Sequence, residues 1–432
     1  MSRRVAVVGA GVIGLCSAYY LAGEGHEVVV FERDGRQRFT TSFGNAGMIV
    51  PSHFVPLAAP GVMNQALRWL ADPGSPFYLK PRFSPELFAW AYRFWRAATP
   101  ARALRAAPLL LELNLASREA YRELAADLKD DFGLERRGLL LLSATEQGHE
   151  EEVRLAHEAR KLGLDVDELS PSDLTALEPG ATFAVAGAVH HRGDAHLDPV
   201  RFMAAMQAQL ERQGVEFRWR SEPSTVRMDG NRVRGLGGRG PDGNFEEGFD
   251  AVVLAGGSWS AMLARSAGVR LLLQPGKGYS MTVDHPNQRL DTPAILTEAK
   301  VAVTPLGDRL RLGGTMEIAG FNGGVNERRV RGILDAAARY LPRLDLAPFE
   351  AAEKWHGLRP CSPDGLPYLG NVARCAGLTI ATGHAMMGVS LGPITGRLVA
   401  DLVAGRRTAI DIAALAPERH GRGVRQPATA AQ

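Results

Sequence analysis

The sequence predicts an α/β protein in which a parallel sheet unit is interrupted by an α+β part built on a mostly antiparallel sheet. Three observations predict it. Residues 4–8 read as a short buried strand, Gly9, Gly11 and Gly14 punctuate the turn after it, and a helix and second strand lead to Glu32. Strand-like runs at 252–254 and 378–381 each end in small residues, Ala255-Gly256-Gly257 and Thr382-Gly383. Between those runs, residues 275–317 alternate in the manner of antiparallel strands. The first two observations describe a Rossmann-like dinucleotide-binding domain, and the third describes the insertion.

Taken in order, apolar spacing predicts a helix over 15–22 closed by Gly25, then a strand over 27–31. Residues 61–135 read as largely helical, with aromatic spacing through Leu87, Trp90, Phe94 and Trp95. Two more helical stretches fall between 149 and 178, the second opened by Ser170-Pro171-Ser172-Asp173 as a cap. Asp198-Pro199 begins a helix to about 213, followed by a strand over 215–218. Strands at 232–236 and 246–254 are joined through Gly240-Pro241-Asp242-Gly243. The antiparallel part takes strands near 279–283, 299–305 and 309–313. Helices at 327–340 and 394–403 follow, and from Pro417 an Ala-, Pro- and Arg-rich tail reads as disordered. This order implies discontinuous domains: 1–60, 190–270 and 350–415 for the nucleotide, 61–189 and 271–349 for the substrate, and 416–432 as tail.

Composition excludes several classes. The 432 residues, 45% hydrophobic with a net charge of +3, suit two or three globular domains. Basic residues cluster only at Arg406-Arg407 and within 419–425, so no nucleic-acid surface is expected. Three cysteines without a CxxC pair exclude a disulfide framework and a cysteine zinc site; no metal is expected. The Met-Ser-Arg-Arg start imitates a signal peptide, but Gly9, Gly11 and Gly14 break the apolar run behind it. No apolar run approaches the ~20 residues of a bilayer-spanning helix. The expected compartment is the cytoplasm, or the cytoplasmic face of the inner membrane as a peripheral protein.

The spacing Gly9-Ala10-Gly11-Val12-Ile13-Gly14 has a physical reading. Gly9 permits the tight turn, Gly11 lets the backbone approach a pyrophosphate, and Gly14 lets the helix close on the sheet. The helix N-terminus aims N–H groups at the phosphates, and Glu32 can accept hydrogen bonds from ribose hydroxyls. A bare GxGxxG is weak, since Gly235-Leu236-Gly237-Gly238-Arg239-Gly240 also fits; it runs into a Pro-Asp-Gly turn and reads as a hairpin. Three further segments favour FAD over NAD. Thr41, Ser42, Asn45, Ala46, Gly47 and Met48 follow the unit of Glu32 and Arg33 and suit wrapping of pyrophosphate and ring. Gly256 and Trp259 stand where a strand ends against a dinucleotide. Gly383, His384, Met387 and Gly388 precede the last helix.

Together with Pro56-Leu57-Ala58-Ala59-Pro60-Gly61, Lys277-Gly278-Tyr279-Ser280, Gly313-Gly314-Thr315-Met316-Glu317-Ile318, Gly357-Leu358-Arg359-Pro360 and Ser362-Pro363-Asp364-Gly365, these segments resemble the D-amino-acid-oxidase-type (DAO) FAD-dependent oxidoreductases, and their bacterial D-amino acid dehydrogenase branch in particular. The resemblance runs over roughly residues 3–415. It implies bound FAD, an antiparallel-sheet substrate domain over the flavin, and oxidation of a small-molecule D-amino acid at its carbon–nitrogen bond. Hydride then moves from the α-carbon to flavin N5, and the electrons pass to a quinone or another acceptor. Arg359 matches the arginine that holds the substrate carboxylate, a role suited to a guanidinium fork. Gly357 stands near the position where some relatives attach flavin through cysteine, so FAD is expected to be noncovalent. Pro223 stands where relatives often meet the adenine through a valine backbone, and proline brings no N–H.

Tyr279 and His53 are further candidates for the substrate, through a phenol to the carboxylate and an imidazole to a hydroxyl or carboxylate; His384 is expected to position the isoalloxazine. The Ser52-His53-Phe54-Val55 stretch, with Ser75-Pro76-Phe77-Tyr78, resembles relatives associated with cyclic D-amino acids, which points to D-proline or cis-4-hydroxy-D-proline. An oxidase for glycine or sarcosine using O2, and a non-catalytic flavin-binding subunit, are the alternatives. The aromatic region 69–95 would meet a membrane if its rings are exposed. Oligomeric state is not written in the sequence.

Overall fold

In the computed structural model, which describes residues 2–38, 40–58, 75–128 and 132–420, the strand Arg4–Val8 lies inside a six-stranded sheet. The order is Tyr368–Asn371, Leu378–Thr382, Ala251–Leu254, Arg4–Val8, Glu27–Glu32 and Glu216–Trp219. All pairings are parallel except that of the edge strand Tyr368–Asn371. Both faces of this parallel sheet are covered, so its strands are apolar on both sides; Val28, Val29, Val30 and Phe31 are all buried.

One face carries the helix Val12–Gly23 between Pro199–Arg212 and Gly392–Ala404. That packing is close because Gly396 has no side chain: a Cβ there would lie 2.5 Å from the Cys16 carbonyl oxygen. The helix Pro100–Leu128 joins this layer, with the Tyr121 hydroxyl donating to the Val389 carbonyl at 2.6 Å. The other face carries an antiparallel sheet of Glu222–Asp229, Arg232–Gly240 and Gly243–Gly248.

The second large sheet has, in order, Trp355–Cys361, Gln274–Asp284, Arg309–Ile318, Val301–Leu306, Ala294–Leu296, Leu139–Ser143, Gly187–His191 and Val166–Leu169, with Phe77–Leu79 on Arg309–Ile318. Two of its pairings are parallel, Ala294–Leu296 with Leu139–Ser143 and Arg309–Ile318 with Phe77–Leu79; the rest are antiparallel. The amphipathic helix Glu327–Tyr340 covers one face, burying Val330, Ile333 and Ala337.

Several expectations need correction. Gly235–Gly240 is not a hairpin turn but most of a strand, and the turn follows it. The run 246–254 divides at Phe249 into strands of two different sheets. Leu139–Ser143 escaped notice because an unbroken leucine run has no period to read. Trp355–Cys361 pairs in the second sheet although it falls in segment 350–415, and Pro100–Leu128 packs on the first although it falls in 61–189. The start of the presumed tail is docked: Arg419 and His420 both reach the Asp364 carboxylate, at 2.8 and 3.0 Å. Residues 421–432, and 59–74 with Ala59, Pro60, Gly61 and Trp69, lie outside the described residues.

Candidate functional site

The N-terminal turn is a cradle built by missing side chains. Gly9 has φ +106°, and a Cβ there would lie 2.7 Å from the Ala255 carbonyl oxygen. A Cβ on Gly14 would lie 1.8 Å from the Gly9 oxygen, so only glycine lets the helix start against its own strand. Above Gly11 the nearest atom is Ser42 Oγ at 3.5 Å, leaving that face open to a phosphate. Ser42 also accepts from Val12 N at 3.0 Å, fixing the following segment to the helix N-terminus. Glu32 is buried; its carboxylate accepts from Ala10 N at 2.9 Å and from Asp34 N at 3.0 Å, which holds the turn while its remaining lone pairs face the cavity.

This turn opens into a cavity of about 1100 Å³. Of the expected cofactor residues, Gly9, Gly11, Val12, Ile13, Glu32, Arg33, Thr41, Ser42, Asn45, Pro223, Gly256, Trp259, His384 and Gly388 line it. Ala10, Gly14, Ala46, Gly47, Met48, Gly383 and Met387 stand behind that lining. Gly47 and Gly383 have φ of +75° and +83° and bend their segments towards it, while Ala46, Met48 and Met387 join an apolar cluster. The Arg33 guanidinium stacks on Trp259 at 3.6 Å. At the other end Thr41 Oγ1 and Ser258 Oγ donate to the Leu358 carbonyl, at 3.3 and 3.0 Å, tying the nucleotide unit to the second sheet.

His384 is buried at this end. Its Nε2 pairs with Thr395 Oγ1 at 3.0 Å, and Nδ1 has no partner among the described residues. Burial pushes its pKa down to about 3, so the imidazole is neutral at ordinary pH. An unpartnered ring nitrogen on the wall, an open glycine face at the helix N-terminus and a buried acid at the second strand's end fit an elongated dinucleotide carrying a polar ring. These residues fit FAD.

Arg359 stands between two lining residues, Leu358 and Pro360, without lining the cavity itself. Its guanidinium lies over Gly278, two residues along the neighbouring strand from its partner Gly276, and a Cβ on Gly278 would come within 2.2 Å of it. Nη1 donates to the Thr315 carbonyl, and among the described residues no carboxylate pairs with it. Burial lowers its pKa, yet a guanidinium stays charged. Cross-strand partners share a face, so the pairs Arg359–Gly276, Gly357–Gly278, Trp355–Ser280, Ser280–Gly313 and Gly313–Ala302 put Arg359, Trp355 and Ala302 on one side of the sheet. Tyr279 is on the other side. Its hydroxyl donates to Glu317 at 2.8 Å beside Lys277, so the structure does not bring the phenol and Arg359 together to share a substrate carboxylate. Odd and even strand residues face opposite ways, and Tyr279 has the wrong parity. His53 is likewise not on the cavity wall: its Nδ1 pairs with Ser52 Oγ at 3.0 Å, and burial and Lys300 push its pKa down to about 4.

The sequence reading missed two arginines. Arg311 is buried, and its guanidinium donates to the carbonyls of Phe43 and Asn45, at 3.0 and 2.6 Å, and to Thr282 Oγ1 at 2.9 Å. It holds the 40–47 segment against the sheet. Arg38 donates to the Ala10 carbonyl at 2.9 Å and to Gln207 at 2.8 Å, buttressing the phosphate turn from behind. An arginine at an inward position of an alternating strand was the available signal for Arg311; Arg38 had none.

Comparison with known proteins agrees with this geometry. The DAO family, described as FAD dependent oxidoreductase, matches residues 4–402. A D-amino acid dehydrogenase of Paramagnetospirillum magneticum is 38% identical, over 96% of this chain and 98% of its own. One of Granulibacter bethesdensis is 32% identical, over 96% and 99%. Among solved structures, glycine oxidase from Geobacillus kaustophilus superposes with a TM-score of 0.76 at 29% identity, over 97% of this chain and 100% of that one. Breadth of coverage, the glycine cradle and the buried acid agree, and the chain belongs to the DAO family of FAD-dependent oxidoreductases.

Proposed function

We propose that this enzyme is a D-amino acid dehydrogenase acting on cyclic substrates such as D-proline or cis-4-hydroxy-D-proline, with noncovalent FAD. The observation that carries it is Arg359: a half-buried guanidinium with no carboxylate partner among the described residues, beside a cavity that fits FAD. Leaving such a charge unpaired is costly, and a substrate carboxylate would supply the missing acceptors bidentately. The relatives named D-amino acid dehydrogenase at 32–38% identity support the reaction.

Bound FAD supplies a hydride acceptor at N5. The chain's part is to bind, orient and exclude water. Arg359 holds the carboxylate, which fixes how the α-carbon is presented. The neutral His384 offers a hydrogen-bonding nitrogen to the ring without adding charge. Ala46, Met48, Val50, Leu141, Ile295 and Ala302 form an apolar wall on the Arg359 side of the sheet, a surface for a hydrocarbon ring rather than a charged side chain. The product imine leaves as a pyrroline carboxylate from a cyclic substrate, or hydrolyses to a 2-oxo acid and ammonia from a primary amine. Gly357 offers no nucleophile to the flavin, and burial pushes the nearby Cys361 thiol up to about 12.

Anaerobic bleaching of the flavin by a panel of D- and L-amino acids, glycine and sarcosine tests this. D-proline and its hydroxyl derivative are expected to reduce it fastest. Rapid reduction by glycine or sarcosine, with every D-amino acid inert, would favour the glycine-oxidase reading that the structural likeness supports. Turnover in air compared with a quinone acceptor separates oxidase from dehydrogenase. Arg359→Ala should retain FAD and lose substrate reduction; unchanged kinetics refute the anchor.

A peripheral membrane contact belongs to the same proposal. The helix Pro85–Ala97 buries Leu87, Trp90 and Phe94 but exposes Phe88, Tyr92 and Trp95 at helical spacing, with exposed Arg96, Arg102, Leu104 and Arg105 alongside. No helix among the described residues is long and apolar enough to cross a membrane. Sedimentation with anionic vesicles should bring the enzyme down, and a Phe88→Ser/Trp95→Ser variant should stay in solution with its kcat for a soluble dye acceptor unchanged. Equal sedimentation of both would refute this surface.

A further inference from the structure

The strand Arg309–Ile318 is irregular beside Arg359. Lys277 pairs with Glu317 but Tyr279 pairs with Gly314, so Thr315 and Met316 together oppose the single residue Gly278. Within this bulge Thr315 has φ +70°, a left-handed conformation that a β-branched residue rarely adopts. The bulge directs the Thr315 carbonyl onto Arg359 Nη1. Under the guanidinium lies Gly278, and a methyl group there would stand 2.2–2.3 Å from Nη1, Cζ and Nη2. One carbonyl at the edge and one bare glycine beneath leave the flat cation a single seat. Strain of this kind persists where surrounding structure holds it in place, and it gathers at functional sites.

We propose that the Thr315 bulge and Gly278 form a preformed guanidinium seat, in which Gly278 and the Thr315 carbonyl are positioning elements that aim the Arg359 fork at the substrate carboxylate. The proposal rests on the anchoring role given to Arg359 above. The seat fixes the plane of the fork before substrate arrives, so carboxylate binding does not have to order a five-donor side chain at the same time.

Two measurements test it on the FAD-loaded enzyme. In Gly278→Ala, the Kd of a carboxylate competitor is expected to rise at least tenfold while that of the matching primary amide changes less than twofold, with Tm and flavin spectrum retained. In an Arg359→Ala background the same Gly278→Ala change should cost nothing further, because no fork remains to displace. An equal loss in both backgrounds, or equal weakening of carboxylate and amide, would assign Gly278 a structural role and overturn the seat. The second measurement does not need Gly278→Ala to fold. Methylguanidinium added to Arg359→Ala should restore carboxylate-substrate reduction saturably, and ethylammonium should not; no difference between the two overturns the proposal. If Arg359→Ala itself binds the carboxylate competitor as tightly as the parent enzyme, the anchoring role has failed, and the seat with it.

Discussion

Buried guanidinium groups organise this site residue by residue. Arg311 satisfies the carbonyls of Phe43 and Asn45, which face the sheet away from water. Burial pushes its pKa down to about 10, still well above any working pH, so it stays charged. Arg311→Met keeps the bulk but removes the donors. It should cost on the order of 1–3 kcal/mol for each acceptor left unpaired, read as a lower urea midpoint together with lower FAD content. A variant with parental midpoint and full FAD would refute this. Histidine burial sets a pH dependence as well. Burial pushes His53 and His191 to about 4 and His384 to about 3. The unfolded chain therefore binds protons that the native state excludes as pH falls from about 6.5, and stability drops. Asp194 works the other way: burial raises it to about 7 against its Ser52 hydrogen bonds, so it loses native stability as pH rises. The lowered His26, His196, His356 and His420 act with those three histidines, and the raised Glu152 and Glu178 act with Asp194. The urea midpoint should therefore rise between pH 4.5 and 6.5, with a flatter rise in His53→Gln; a midpoint falling over that range would contradict the assignment.

At the scale of elements, the legible parts were those with local signals. Ser170-Pro171-Ser172-Asp173 reads as a cap and is one: Ser170 Oγ accepts from Asp173 N and the Asp173 carboxylate accepts from Ser170 N. Ser170→Ala should lower stability by about 1 kcal/mol without touching turnover, and a lost activity at unchanged Tm would be inconsistent with this. Helix Glu327–Tyr340 was equally legible, because its apolar stripe repeats at helical spacing. The aromatic helix shows the limit. Its spacing gave the helix, but which of its rings are buried depends on Cys361 and Met316, contributed from more than 200 residues downstream. The bulge at Thr315 left no mark in sequence either, since a threonine carries no preference for left-handed backbone.

Across the whole molecule, the chain passes from the second sheet at Trp355–Cys361 to the first at Tyr368–Asn371, and the C-terminal segment docks on that connection. Arg419 pairs with Asp364 and stacks on Tyr368 at 4.0 Å. Burial alone would raise the Asp364 pKa, but the Arg419 charge and hydrogen bond hold it well below the usual carboxylate range. Such a group stabilises the fold above its unfolded pKa, near 3.9, and loses that contribution as pH falls through its folded value. Arg419→Ala should cost on the order of 3–5 kcal/mol at pH 7, shrinking towards pH 3 as the carboxylate, left with His420 alone, takes a proton. A cost independent of pH would show that Arg419 acts through packing on Tyr368 alone.

The sequence by itself determined the nucleotide cradle, because each of its parts is local: a strand, three glycines, a helix start and an acid lie within the first 32 residues, and their geometry follows from backbone sterics. It also carried the family resemblance and picked out Arg359. Tertiary structure decided which side chains accompany Arg359. Tyr279, on the neighbouring strand, turns to Glu317 by parity, while Gly278 and the Thr315 carbonyl reach Arg359 only through pairing of three strands. Strand register across a sheet depends on contacts between distant segments, and a one-residue shift in pairing exchanges the residues on each face.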